Sequence, residues 1–427
     1  MEDEVRGNTP QEAGQDARAS IISMVYADKT DRFAAVLSYA AAYLYVLFMF
    51  REDRAVWLLL FAAALTAWGL AAYRRESASG EHWIWLGGLW ACVLGVALGR
   101  NRVWGDWSEL TLHLFALYWL VLRSGKCVEC SSSRFLPLDA LSGAILIPFR
   151  NLLLRLRVLR GMLPARLKKP DAGATLGTFA AIVTAGTLFA AAGALLCGAD
   201  PNFGLLAQRI GSVLGQFDAG LWLSYLLLSV PVGAYLYGAI HGALREAPEA
   251  VRERRGILEA MVAAVRRVPA RVWPVLMGGF CAMYLAFFLL QGSYLFSALA
   301  AVLPEAFTAA QYARQGFFEL CGIMALNFAL LFLAAVSGQG SLRNGAGRIL
   351  ATVLLAESML FAVTAAAKLW LYIDRFGFTP LRLQSSWLVA VLFMGCAAAL
   401  RAVWTGRDTT RSWLVFAGVT MALLHLY

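Results

Sequence analysis

The sequence predicts an all-α fold: a polytopic transmembrane helix bundle of about 11 spans, with the N-terminus cytoplasmic and the C-terminus outside. Three observations predict it. Of 427 residues, 60% are hydrophobic and only 15% are charged, with a mean hydropathy of +0.64. Soluble domains run near ~45–50% apolar and ~25% charged, so a soluble fold could not cover this much apolar surface. The apolar residues also gather into runs of the ~20 residues that a membrane helix needs. Finally, Lys and Arg fall unevenly on alternate connections between those runs, as topology-setting charges do.

The runs lie at 33–50, 55–73, 83–99, 107–122, 174–197, 219–240, 273–290, 315–336, 347–369, 385–404 and 412–426. With the N-terminus inside, the cytoplasmic segments hold 28 of the 37 basic residues and the outer segments 8, with Lys368 left within a span. Residues 1–31 are polar and acidic (Glu2, Asp3, Glu4, Glu12, Asp16), so this tail is expected to be disordered and not a cleaved signal peptide. The chain thus divides into the acidic cytoplasmic tail (1–31), a first four-helix transmembrane part (32–123), a basic amphipathic cytoplasmic loop (124–173) and a seven-helix transmembrane domain (174–427).

Within the third part, Phe149, Leu152, Leu153, Leu156, Leu159 and Leu163 repeat on one face of a helix over 148–169. Arg150, Arg155, Arg157 and Arg160 lie largely off that face. This pattern predicts an interfacial helix on anionic headgroups. The loop at 251–271 carries Arg252, Arg254, Arg255, Arg266, Arg267 and Arg271. The expected partners are therefore the lipid bilayer, whose anionic headgroups meet these basic loops, and a membrane protein; the 251–271 loop also offers a docking surface for a cytoplasmic partner. The net charge of +10 is read as loop arginine, not as a nucleic-acid surface.

No cofactor and no metal is expected. Four of the seven cysteines (Cys92, Cys281, Cys321, Cys396) sit inside apolar runs, and Cys127-Val-Glu-Cys130 is a lone pair with no second pair or adjacent His. Gly95-Val-Ala-Leu-Gly99 permits a close helix approach.

Three outer connections carry helix punctuation. Ala199-Asp200-Pro201 sets an N-cap before a short helix at 203–217. Thr308-Ala-Ala-Gln311 has capping-box spacing. Gly377-Phe378-Thr379-Pro380 reads as a C-terminal Gly, an N-cap Thr and a Pro at the first helical position, hence a tight turn.

On those residues the sequence resembles the bacterial multi-pass membrane proteins of domain-of-unknown-function family 4173 and its relative 4153. The likeness is carried by Ala199-Asp-Pro-Asn-Phe203, Gln291-Gly-Ser-Tyr-Leu-Phe296, Tyr312-Ala-Arg-Gln-Gly-Phe-Phe-Glu-Leu320 and Leu371-Tyr-Ile-Asp-Arg-Phe-Gly-Phe-Thr-Pro-Leu-Arg382. It covers about 174 to the C-terminus, and the amino-terminal third offers no matching motif. The resemblance implies a multi-pass protein of the bacterial inner membrane and implies no activity.

Ionisable groups in hydrocarbon cost a few kcal/mol each, so they mark either internal pairs or a site. Glu319 lies near the outer end of the eighth span, with Asn327 eight residues deeper on the same face. Glu357, Thr364 and Lys368 are spaced by seven and four, one stripe on the ninth span, followed by Asp374. Arg382 stands in the first turn of the tenth span, where the helix dipole disfavours a cation and an anion is wanted nearby. The candidate binding residues are therefore Arg314, Glu319, Glu357, Lys368, Asp374 and Arg382, with Tyr294, Tyr312 and Tyr372 lining the pocket. Internal pairing of Glu319 with Lys368 or Arg382 stands beside that reading.

Three functions remain open. The first is a non-catalytic accessory, regulatory or scaffolding subunit of an envelope or signalling complex. The second is a transporter-like or ligand-sensing bundle with an outward-facing anion-accepting pocket. The third is an intramembrane enzyme acting on lipid-linked substrates. No catalytic residue is assigned.

Overall fold

The computed structural model describes residues 29–76, 79–100, 102–129, 131–162, 219–245, 271–296, 316–336 and 345–427, with residue 342 and a few positions between 256 and 269. Among these residues every regular element is helical. In chain order they are α1 (Lys29–Phe50), α2 (Arg54–Ala72), α3 (His82–Ala97), α4 (Ser108–Ser124), α5 (Leu136–Leu141), α6 (Ile147–Arg150) and α7 (Leu154–Met162). Then follow α8 (Ala219–Arg245), α9 (Val272–Phe296), α10 (Phe317–Val336), α11 (Gly345–Phe376), α12 (Pro380–Thr405) and α13 (Thr410–Leu423). A π-helical segment, Ser142–Leu146, joins α5 to α6, and a 3-10 turn, Leu424–Leu426, ends the chain.

Among the described residues, eight helical stretches are long and apolar enough to cross a membrane. Seven of them coincide with predicted runs: α1, α2, α8, α9, α10, α11 and α12. The runs at 83–99, 107–122 and 412–426 form shorter helices. At 16 residues, α3 is ~24 Å long, against the ~30 Å of a bilayer core. The eighth candidate is Leu136–Met162, inside the segment read above as a cytoplasmic loop. It is not one continuous helix, because the π segment and a turn at 151–153 interrupt it. The predicted run at 174–197, the helix at 203–217, the two punctuated turns at Asp200 and Thr308, and most of the 251–271 loop lie outside the described residues.

The chain forms two interleaved compact units. Unit 1 comprises Met1–Ala64 and Ile147–Gly242; unit 2 comprises Leu65–Leu146 and Ala243–Tyr427. In unit 1, Val46 and Leu47 of α1 bury against Tyr225 of α8, closed over by Tyr43, Trp57, Trp222 and Val232. The α1–α2 turn is fixed by Arg54, whose Nε–H donates to the Phe48 carbonyl at 3.0 Å. Phe149, Leu153 and Leu156 are exposed, as a lipid-facing stripe would be, and so are Arg150, Arg157 and Arg160. Arg155 departs from its predicted place off the apolar face: it is buried. The interruptions at 142–146 and 151–153 break the helical phase, so one wheel drawn over 148–169 misplaces it.

In unit 2, α11 is the central helix and packs against α9, α10 and α12. Its core includes Met277, Tyr284, Leu320, Met324, Leu354, Leu355, Phe361 and Cys396. The predicted turn after α11 is present. Gly377 takes φ +77°, a conformation open to glycine, and its N–H reaches the Ile373 carbonyl at 2.7 Å. Thr379 is the extended N-cap residue and Pro380 opens α12, although the Thr379 hydroxyl makes no cap bond.

The short helix α3 packs against both α4 and α13, and small residues set the distances. The close approach expected at Gly95 is made within the chain, against the terminal 3-10 turn: a Cβ on Gly95 would stand 2.1 Å from the His425 carbonyl oxygen. Gly95→Ala is therefore expected to cost about 1–3 kcal/mol, the usual range for overpacking. Gly87→Ala, on the same helix with nothing within 4 Å of the added carbon, should leave stability unchanged or raise it. Thermal melts of the two variants in one detergent check the contrast.

Candidate functional site

Unit 2 brings polar side chains from three helices to one level of its interior. On α9, Cys281 and Tyr284 are three residues apart and share a face in an otherwise apolar stretch. Tyr284 O–H donates to Asn327 Oδ1 of α10 at 2.9 Å. Asn327 Nδ2–H donates to Ser358 Oγ of α11, also at 2.9 Å. Ser358 then donates to the Leu354 carbonyl one turn back, at 2.7 Å. The three side chains are buried, and each bond in the series links the donor of one to an acceptor of the next. The Tyr284 ring meets the Phe361 ring edge-on at 5.3 Å.

Glu357 borders this seam. The Cys281 thiol, which donates to the Leu350 carbonyl at 3.7 Å, lies within electrostatic reach of the Glu357 carboxyl group. Its Oε2 is buried with no hydrogen-bond partner among the described residues. A carboxyl here can hold or release a proton without breaking a strong ion pair.

The other predicted site residues sit elsewhere in the unit. Lys368 is 11 positions, hence ~16 Å, along α11 from Glu357. The residue is 1% exposed, and its ammonium lies 3.7 Å from where a Cβ on Gly316 would stand, with the Glu319 carboxylate within electrostatic reach. Glu319 itself is exposed whereas Asn327 is buried, so the two do not share a face: eight residues turn a helix by ~800°, which leaves them ~80° apart. Arg382 stacks its guanidinium over the Tyr372 ring at 4.1 Å and donates to the Gly377 carbonyl. It thus lies against the carbonyl end of α11, where the dipole favours a cation. Asp374 is exposed in the last turn of α11. Tyr294 falls near the end of α9, and Arg314 and Tyr312 lie outside the described residues.

One polar centre escaped the sequence reading. Glu81, just before α3, has a fully buried side chain. Its Oε1 accepts from Trp85 Nε1 at 2.9 Å and from the Ser132 hydroxyl; its Oε2 accepts from Arg411 Nε at 2.7 Å. Burial by itself raises the carboxyl's pKa. The hydrogen bonds from Ser132 and Trp85 and the Arg411 guanidinium outweigh burial and hold it below the usual carboxylate range. Apart from Trp85, four residues on, the partners of the Glu81 carboxylate are 51 and 330 residues away, so the sequence does not bring the cluster together. Far along the same unit, Trp104 Nε1 donates to the Met421 carbonyl at 3.2 Å, stacks edge-on with Trp387 at 5.1 Å, and Trp387 Nε1 donates to Thr420 Oγ1 at 2.9 Å.

Among the described residues these features define an all-helical fold with membrane-length apolar helices and a polar seam enclosed by three of them. The chain matches the family described as Domain of unknown function (DUF4153) over residues 38–427, and it belongs to that family. Membership lies with 4153, which entered above only as the relative of 4173. The match also takes in the amino-terminal third, where no motif was legible. No curated protein and no solved structure matches the chain.

Glu81→Ala is expected to cost about 2–3 kcal/mol, because it strands the buried donors of Ser132 and Trp85. Arg411→Ala should cost less than Glu81→Ala, since the Arg411 side chain is 58% exposed and the Ser132 and Trp85 hydrogen bonds to the carboxylate remain. Because the folded-state pKa of Glu81 is depressed, its stabilisation is present above the unfolded-state value of about 4.3 and is lost as pH falls below it. Denaturation of wild type and Glu81→Ala at neutral and acid pH should show the difference between them shrinking on acidification.

Proposed function

We propose that the protein is a multi-pass protein of a bacterial cytoplasmic membrane whose second unit is a transporter-like or ligand-sensing bundle, with Glu357 as its proton-titrating carboxylate. The observation that carries this reading is the buried, unpartnered Glu357 Oε2 beside the Tyr284–Asn327–Ser358 series. A bundle that only had to hold together gains nothing from a carboxyl there, since an apolar side chain would pack at no desolvation cost.

The proposed topology has an inner N-terminus, about eleven spans and an outer C-terminus. Its support is the 28-to-8 distribution of basic residues. Three segments assigned to the cytoplasm (74–82, 123–173 and 401–411) meet at Glu81, Ser132 and Arg411. The outer 100–106 segment and the outer ends of α12 and α13 meet at Trp104, Trp387 and Met421. In this arrangement Leu136–Met162 lies in the inner interface, in keeping with its interruptions and its four arginines between 150 and 160.

A second reading is the accessory or scaffolding subunit. It is favoured by the exposed Arg150, Arg157 and Arg160, which offer an acidic partner a cationic face.

An Asp374→Cys reporter separates the two. Impermeant maleimide should label it from outside intact cells. In proteoliposomes its labelling rate should change severalfold across a pH step, and Glu357→Gln should abolish that change while accumulating normally in the membrane. Glu357→Asp should retain part of it. A pH response that survives Glu357→Gln removes Glu357 from the mechanism and favours the scaffolding reading.

A further inference from the structure

Unit 1 buries a positive charge that no described side chain neutralises. Arg155 of α7 is 5% exposed, and a guanidinium remains protonated at any working pH. Its Nε–H donates to the Ala35 carbonyl of α1 at 3.1 Å. That oxygen already accepts from the Ser38 hydroxyl at 2.8 Å. The Arg155 Cζ lies 5.5 Å from the centroid of the Tyr39 ring. Tyr39 offers only its face, because its hydroxyl is committed to the Leu226 carbonyl of α8 at 2.8 Å, near the carbonyl that Pro231 leaves without its helical donor. Asp31, one turn before Ala35 on α1, pairs with His241 at 3.1 Å.

The two η-amino groups of Arg155 carry four N–H donors. Among the described residues, none of the four has an acceptor and no carboxylate pairs with the guanidinium. Neither amino group is sealed away from the surface. Gly233 lets α8 pass close beside them. A Cβ there would stand 3.4 Å from both Cζ and Nη1, and 3.3 Å from the Ser38 carbonyl oxygen. The result is a fixed, forked donor with an open edge, backed by an aromatic ring. That geometry matches two oxygens of one anion. The same stretch of chain exposes Phe149, Leu153 and Leu156, apolar side chains suited to lying along acyl chains.

We propose that Arg155 is the anchor of an oxyanion site that takes the phosphodiester of an anionic phospholipid, with Tyr39 and Gly233 shaping its walls. The lipid is preferred over free phosphate because the donor edge and the exposed apolar stripe lie on one short segment, so headgroup and chains can be held together. This site belongs to unit 1 and does not rest on the reading of Glu357.

The test is lipid retention by the full chain in detergent, measured with phosphatidylglycerol, with phosphatidylcholine, and with inorganic phosphate as competitor. Wild type should retain phosphatidylglycerol about tenfold better than phosphatidylcholine, roughly what one charge-assisted bidentate contact supplies. Arg155→Gln should lose the preference, Arg155→Lys should keep a fraction of it, and Arg407→Gln, an exposed change in unit 2, should match wild type. Displacement of phosphatidylglycerol by inorganic phosphate would overturn the lipid assignment in favour of a free anion. Equal retention of the two lipids by wild type would overturn the site itself, and that arm needs no variant to fold.

Discussion

A hydrogen-bonding group placed in hydrocarbon must find its partner within the protein, and this requirement arranges the interior of the second unit. Asn327 cannot face lipid. It turns inward from α10 and uses its carbonyl toward α9 and its amide toward α11. One side chain therefore fixes the rotation and depth of three helices relative to one another. The apolar core of Met277, Leu320, Met324, Leu354 and Phe361 fills the space that this registration leaves. Interhelical hydrogen bonds of this kind contribute about 0.6–2 kcal/mol each, a modest energy, but they specify a single arrangement where apolar packing would tolerate several.

The same requirement explains the two ends of the unit. Near one end, the buried Glu81 carboxylate gathers donors from Trp85, Ser132 and Arg411. Toward the other, the indole N–H groups of Trp104 and Trp387 find oxygens on α13. The short helices α3, α4 and α13 are thus tied at both ends, and the glycine contacts between them permit close packing. Arg382 follows the same logic by a different route. Its place in the first turn of α12 suggests a missing anion, but the guanidinium turns back to the carbonyl end of α11 and the face of Tyr372.

Local features were the legible ones. The turn from Gly377 to Pro380 could be read because its signals are adjacent in the chain. The stripe of Glu357, Thr364 and Lys368 could be read because one uninterrupted helix carries all three, and Thr364 and Lys368 are both buried in the structure. Long-range pairing was not legible. Tyr284 and Ser358 carry no signal in the sequence and Cys281 reads only as a cysteine within an apolar run, since each becomes meaningful only beside a residue on another helix. Placing Glu319 with Asn327 failed on helix geometry, and the inward turn of Arg155 was hidden by a π segment that no sequence period announces. Helix length was a third limit: the apolar runs at 83–99 and 412–426 form helices of only four or five turns, shorter than a run of that composition suggests.

The role proposed for Glu357 requires its carboxyl group to change protonation inside an apolar bundle. Infrared difference spectra of the full chain in lipid nanodiscs, taken between acid and alkaline conditions, observe that event directly. The account predicts a carboxylic-acid carbonyl band in wild type that is missing from the Glu357→Gln spectrum. Identical bands in the two proteins would contradict it, and would leave Glu357 as one more polar side chain held in place by its neighbours.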